Sequence, residues 1–168
     1  MDRGSILAQA LELRELCGRY GVPLILNDDA ELAQAAGADG VHVGQSDMEA
    51  GRVRALLGED KLIGVSARTV EQALAAQAAG ADYLGVGAMF PTGTKQDTRP
   101  VSYDTLKAIC AAVDIPVVAI GGIGAGNVAE LAGSGIAGVA VVSALYAQPD
   151  VEAATRSLRA QVERVVGP

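Results

Sequence analysis

The chain has 168 residues, half of them hydrophobic, with no Trp and a formal net charge of −7. That length fits a single domain, residues 1–168, with room for a sizeable core. The acidic balance argues against nucleic acid and anionic membrane surfaces as partners, yet leaves a small anionic ligand open, because backbone N–H groups and one lysine can bind it locally.

A helix is predicted over residues 3–20, where Ile6, Ala10, Leu13, Cys17 and Tyr20 recur at three- and four-residue steps on one face. Gly21 ends it, and Pro23 opens a strand at Leu24-Ile25-Leu26 that stops at Asn27-Asp28-Asp29. A short helix through Leu32 and Ala36 leads to the strand 40–43, which stops at Gly44-Gln45-Ser46-Asp47. A helix near 49–57 leads to the strand 62–65, ending at Ser66. A helix near 69–79 leads to the strand 83–87, and then to the loop GAMFPTGTKQD from Gly87 to Asp97. The helix 102–112 precedes the strand 116–120, which ends in Gly121-Gly122. A helix near 126–133 precedes the strand 139–142, ending at Ser143, and a terminal helix covers 150–165.

An internal repeat supports this order. AAGADGVHVG (35–44) and AAGADYLGVG (78–87) are nearly one phrase, and GSGIAGVAVVS (133–143) is a looser copy. Each holds a helix end, a Gly turn and a buried strand. Repeated βα units of one hand make a parallel sheet with helices outside. Doubly wound sheets and barrels both fit. Short Gly-rich strands, with polar residues at the end of every strand, favour a TIM-type (β/α) barrel. The count is six recognisable strands against the eight of a closed barrel, and the chain opens on a helix. The expectation is therefore a truncated barrel, short of its first two βα units.

Cys17 and Cys110 are too few and too far apart for a disulfide framework or a zinc site, and read as buried apolar thiols. No basic region followed by an apolar run opens the chain, and no apolar stretch reaches the ~18 residues of a membrane span. The chain reads as cytoplasmic.

Polar residues gather at the strand ends. Asp28 and Asp47 close neighbouring strands, each beside an amide (Asn27, Gln45). Two carboxylates converging from adjacent strands suit Mg2+, which keeps waters and substrate phosphates in its other positions. Helix capping by Asp28 or Asp29, and by Asp47, is the alternative. His42 lies inside a strand and reads as a packed or hydrogen-bonded core residue rather than a base. Gly121-Gly122-Ile123-Gly124 and Val142-Ser143-Ala144 read as a phosphate site, as the loops after the last two strands of such barrels often are. Tight helix–strand packing is the alternative there. Thr92, Gly93, Thr94 and Lys95 supply small hydroxyls, a flexible backbone and one cation, again suited to phosphate, with a solvated turn as the alternative. No Ser-His-Asp arrangement or activated Cys is visible, so the chemistry reads as leaving-group stabilisation and positioning.

Six segments tie these residues to a known family. NDD at 27–29, HVGQSD at 42–47, GVSA at 64–67, FPTGTKQD at 90–97, AIGGI at 119–123 and VVSA at 141–144 come in the order and approximate spacing of thiamine phosphate synthases. The chain resembles that family along most of its length. The resemblance implies a transferase of thiamine biosynthesis that joins hydroxymethylpyrimidine diphosphate to a thiazole phosphate and releases diphosphate. It implies that Asp28 and Asp47 hold Mg2+ on the diphosphate, and that Asn27, Ser66 and Lys95 contact the pyrimidine diphosphate, Ser66 and Lys95 catalytically. Thr92, Gly93, Thr94, Gly122, Val142 and Ser143 would bind the thiazole phosphate. In the family diphosphate leaves, a pyrimidine-methyl cation forms, and the thiazole nitrogen attacks it, which agrees with the absence of a nucleophile.

One family feature has no counterpart. The Gln-x-Arg-x-Lys motif of the family's second strand, whose basic residues grip the diphosphate, is absent from this sequence. Lys95 is then the expected lone side-chain cation for the leaving group, and weakened activity is expected. The alternatives are a thiazole tautomerase-like relative and a phosphate-binding barrel without turnover. Missing strands would also expose two sheet edges, which invite self-association into a homo-oligomer.

Overall fold

The computed structural model describes residues 2–91 and 100–167. Thr92, Gly93, Thr94 and Lys95 therefore lie outside the described residues. The chain divides into two compact units, Met1–Ser66 with Ala76–Asp82, and Ala67–Ala75 with Tyr83–Pro168. The architecture is α/β, with six parallel strands that form the βα units of a TIM-type fold.

In the first unit, α1 (Arg3–Arg19) begins at Asp2, whose carboxylate accepts the Ser5 N–H at 3.1 Å. Then come β1 (Ile25–Asn27), α2 (Ala30–Ala36), β2 (Gly40–Val43), α3 (Ala50–Leu57) and β3 (Leu62–Ala67). Asn27 pairs with His42, and His42 with Gly64. Val41, Val43, Ile63 and Val65 fill the core.

The repeated phrase has a structural meaning. At its first copy α2 ends on the left-handed Gly37 (φ 62°), and the Ala38 N–H returns to Ala33 O at 3.0 Å. Asp39 then holds the residue before β1 twice. Its N–H donates to Leu24 O (2.9 Å), and its Oδ2 accepts the Leu24 N–H (2.7 Å). At the second copy Gly80 (φ 91°) follows α4 (Val70–Ala78), and the Asp82 N–H donates to Ile63 O (2.8 Å) while its Oδ2 accepts the Ile63 N–H (2.7 Å). The looser third copy has Ala137 at this place. It keeps the backbone bond, to Val117 O at 2.8 Å, and lacks the carboxylate.

Asp82 is also gripped by Arg54, Nη2 to Oδ2 at 2.7 Å, with the arginine side chain only 14% exposed. The same guanidinium donates to the carbonyls of Gly58 (3.0 Å), Lys61 (2.6 Å) and Gly80 (2.9 Å). One planar cation thus gathers the end of α3, the approach to β3 and the turn after α4.

The second unit holds β4 (Tyr83–Val86), α5 (Tyr103–Ala112), β5 (Val117–Ile120), β6 (Gly138–Ala140), α6 (Ser143–Tyr146) and α7 (Val151–Val165). β5 lies between β4 and β6, with Leu84 opposite Val117 and Val118 opposite Gly138. Ser102 and Asp150 cap α5 and α7, accepting the Thr105 N–H (3.1 Å) and the Ala153 N–H (2.9 Å). Among the described residues no helix is long and apolar enough to cross a membrane.

Four expectations need correction. The supposed core stripe of α1 is largely on the surface, with Leu13 48% and Tyr20 77% exposed and only Ala10 buried. The side of α1 against α2 is set instead by small and cationic residues. Arg3 bonds Asp29 and Glu31 at the start of α2, and Arg14 bonds Ala36 O at its end. The helix expected over 126–133 is one 3-10 turn, Val128–Leu131, closed by the left-handed Gly133 and Gly135. The last strand ends at Ala140 rather than residue 142, because Val142 O accepts the Leu145 and Tyr146 N–H groups and starts α6. Both cysteines are half-buried rather than buried, and partial burial pushes the Cys110 thiol up from its ordinary value.

Removing Asp82 leaves the Ile63 N–H and a mostly buried guanidinium without their carboxylate. Asp82→Ala is expected to lower the unfolding free energy by about 2–3 kcal/mol, and Asp39→Ala, whose carboxylate is exposed, by about 1 kcal/mol. Urea denaturation of both variants checks the order, and equal losses would contradict it.

Candidate active site

At the end of β1 the chain divides three polar residues among three tasks. Asn27 is the last strand residue and is exposed. Asp29 caps α2, its Oδ1 accepting the Leu32 N–H at 2.8 Å. Asp28, between them, has φ 69°, a left-handed conformation that an L-residue adopts at a cost of roughly 1–2 kcal/mol. Its N–H donates to His42 O (2.8 Å), and its carboxylate accepts no hydrogen bond among the described residues. Capping therefore falls to Asp29, and Asp28 is held with its carboxylate open. Strain of this kind is a pointer to function.

Past β2, Asp47 is half-buried, and its Oδ2 accepts the Gly44 N–H at 2.7 Å. It is not the cap of α3. Glu49 is, accepting the Gly51 N–H (2.9 Å) and the Arg52 N–H (3.3 Å). Oδ1 of Asp47 accepts nothing among the described residues. No group of three or more His, Cys, Asp or Glu side chains that could hold a metal occurs among the described residues. Asp28 and Asp47 fit a cation that needs only one or two protein carboxylates and takes its other ligands from water and phosphate, as Mg2+ does.

Ser66 sits on β3 and is held from two sides. His42 Nε2 lies 2.9 Å from Ser66 Oγ, and Gln45 Nε2 donates to Ser66 O at 2.7 Å. Register explains the first contact, because His42 faces Gly64, and Ser66 is two residues further on the same face. The expected hydrogen-bonded role of His42 holds, although the ring is half-buried rather than in the core. Which side chain it would meet was not legible, since register is a long-range property.

In the second unit Gly121 (φ 95°) and Gly122 (φ 66°) are consecutive left-handed residues at the end of β5. A Cβ on Gly122 would stand 2.7 Å from Phe90 O and from Pro91 O, so glycine is required on two counts. The segment 88–90 runs against this turn, with Met89 N–H to Ile120 O and Phe90 N–H to Gly121 O, both at 3.0 Å. The N–H groups of Gly122 and Ile123 find no acceptor among the described residues, which suits an oxyanion. The Gly124 N–H is already taken by Asn127 Oδ1 (2.9 Å), and no α-helix follows, so the helix-terminus charge expected there is missing. Val142 and Ser143 are exposed at the start of the four-residue α6.

Arg68, just beyond β3, escaped the sequence reading, which stopped at Ser66. Its Nη1 donates to Gly87 O at 3.2 Å, at the entry of the loop that carries Lys95. A basic residue within two positions of a polar strand end was the available signal.

The family model for thiamine monophosphate synthase matches residues 1–145. The chain belongs to the thiamine monophosphate synthase family. It is 52% identical over 149 residues to the thiamine-phosphate synthase of Ruminiclostridium cellulolyticum, covering 89% of this chain and 71% of that relative. It is 53% identical over 158 residues to that of Chloroflexus aurantiacus, covering 94% of this chain and 73% of the relative. The structure superposes on thiamine phosphate pyrophosphorylase from Pyrococcus furiosus with a TM-score of 0.91 at 38% identity, over 99% of this chain and 80% of that one. A 3-hexulose-6-phosphate synthase, at 21% identity and a TM-score of 0.70, shares the fold alone.

The glycine turn gives a direct test. Gly122→Ala meets both the left-handed backbone and two carbonyls, and is expected to lose about 2 kcal/mol of stability. Gly126→Ala, where an added Cβ meets nothing within 4 Å, is expected to lose none. Thermal melts of the pair check this.

Proposed function

We propose that this chain is a Mg2+-dependent thiamine phosphate synthase, coupling hydroxymethylpyrimidine diphosphate with thiazole phosphate and releasing diphosphate. The observation that carries the proposal is the pair Asp28 and Asp47, each with carboxylate oxygen left open at adjacent strand ends in a member of this family. These two would hold Mg2+, which supplies charge neutralisation on the leaving diphosphate. Asn27 and Ser66 would donate to the same diphosphate, and Lys95 would add a cation. Gly122, with Thr92, Gly93, Thr94, Val142 and Ser143, would bind the thiazole phosphate. Catalysis is then positioning and leaving-group stabilisation, with no covalent enzyme intermediate.

Coupled product analysis tests this. With both substrates and Mg2+, thiamine phosphate and diphosphate are expected in equal amounts, and a chelator is expected to stop their formation. Each charge-assisted contact is worth ~1.5–3 kcal/mol, so Asp47→Ala and Lys95→Ala are each expected to lose roughly one to two decades in rate. Turnover indifferent to the chelator and to Asp47→Ala would overturn the metal assignment. Bound thiazole phosphate with no product would contradict the coupling reaction.

Among the described residues β1 pairs only with β2, and β6 only with β5. Self-association through such an edge is the finer proposal for partners. Sedimentation is expected to show a species above the monomer mass, and a monomer at all concentrations would refute it.

A further inference from the structure

The contact between His42 and Ser66 has a polarity that the site's chemistry decides. His42 Nε2 and Ser66 Oγ are 2.9 Å apart, and either atom can be the donor. If the serine hydroxyl donated to the ring, only its lone pairs would be left to face a diphosphate oxygen, and the two would repel. If Nε2 carries the proton and donates, the hydroxyl hydrogen is free to donate to the anion. Gln45 Nε2 meanwhile anchors the Ser66 carbonyl at 2.7 Å, so backbone and side chain are both fixed.

We infer that His42 is a positioning residue. Its Nε2–H fixes the Ser66 hydroxyl as a donor towards a diphosphate group at the ends of β1, β2 and β3. The inference rests on the substrate reading above, and assigns the ring a task that the search for a base would miss. A base would take the hydroxyl proton and make Ser66 a nucleophile. A positioning donor leaves the proton on Ser66 and strengthens ground-state binding of the anion.

The test uses Mg2+ with inorganic diphosphate, bound by the whole chain and followed by calorimetry. His42→Ala is expected to weaken binding about tenfold, the loss of one donor to an anion. His42→Gln, which returns an N–H donor, is expected to recover most of it. In a Ser66→Ala background, His42→Ala is expected to add nothing, because its effect passes through the hydroxyl. The sequence holds one histidine, so nitrogen NMR of the labelled ring reads its tautomer directly, and a proton on Nε2 is expected. Additive losses in the double variant, or a bare Nε2, would overturn the inference while leaving the substrate reading intact. A Ser66→Ala chain that binds diphosphate normally but has lost turnover would overturn it in favour of a nucleophile. A wild-type chain that binds no diphosphate would overturn the substrate reading, and this inference with it.

Discussion

The backbone bond from the residue before a strand to the start of a neighbouring strand is the constraint on which the rest depends. Asp39 to Leu24, Asp82 to Ile63 and Ala137 to Val117 all make it, at 2.8 to 2.9 Å. A slip of one residue would turn every side chain of a strand to its opposite face. Asn27, His42 and Ser66 would then no longer lie where they do. The aspartates add a second bond that Ala137 cannot, and Arg54 shares one of them. These carboxylates, one of them paired with the half-buried Arg54, stand at the N-terminal feet of β2 and β4, whereas Asp28 and Asp47 follow the C-terminal ends of β1 and β2.

That division explains which polar groups are satisfied and which are not. Asp29, Glu49, Ser102 and Asp150 all end in helix caps. Asp28 differs from Asp29 by one position, but its left-handed backbone takes it out of the cap and leaves its carboxylate unengaged among the described residues. Gly121 and Gly122 do the corresponding work for backbone N–H groups, since a side chain on Gly121 would strike Ala88 and one on Gly122 the carbonyls of Phe90 and Pro91. A dissociative phosphate chemistry needs such preset donors and ligands rather than a reactive nucleophile.

Much of this was legible in the amino-acid order. Short, mainly apolar runs bounded by Gly, Pro or polar turns marked the strands β1 to β6, and Gly-Ala-Asp preceded β2 and β4. The repeat was visible as a phrase, though not as a hydrogen-bond device, because the partner of Asp39 is fifteen residues away. The α1 face misled because an apolar stripe says which side is greasy, not what covers it. The helix over 126–133 failed because Asn127 spends its side chain on Gly122 O and Gly124 N–H, which favours a tight loop over a helix. His42 and Arg68 were undervalued because their partners, Ser66 and Gly87, are set by register and by a loop entry.

The central claim is that different strand ends serve different phosphates. Amide shift mapping by NMR tests it most directly, adding Mg2+ with diphosphate in one titration and thiazole phosphate in another. Diphosphate is expected to move the amides of Asp28, Gly44, Asp47 and Ser66, and thiazole phosphate those of Gly122, Ile123 and Ser143. The reverse assignment, or shifts from both ligands confined to one group, would contradict the account.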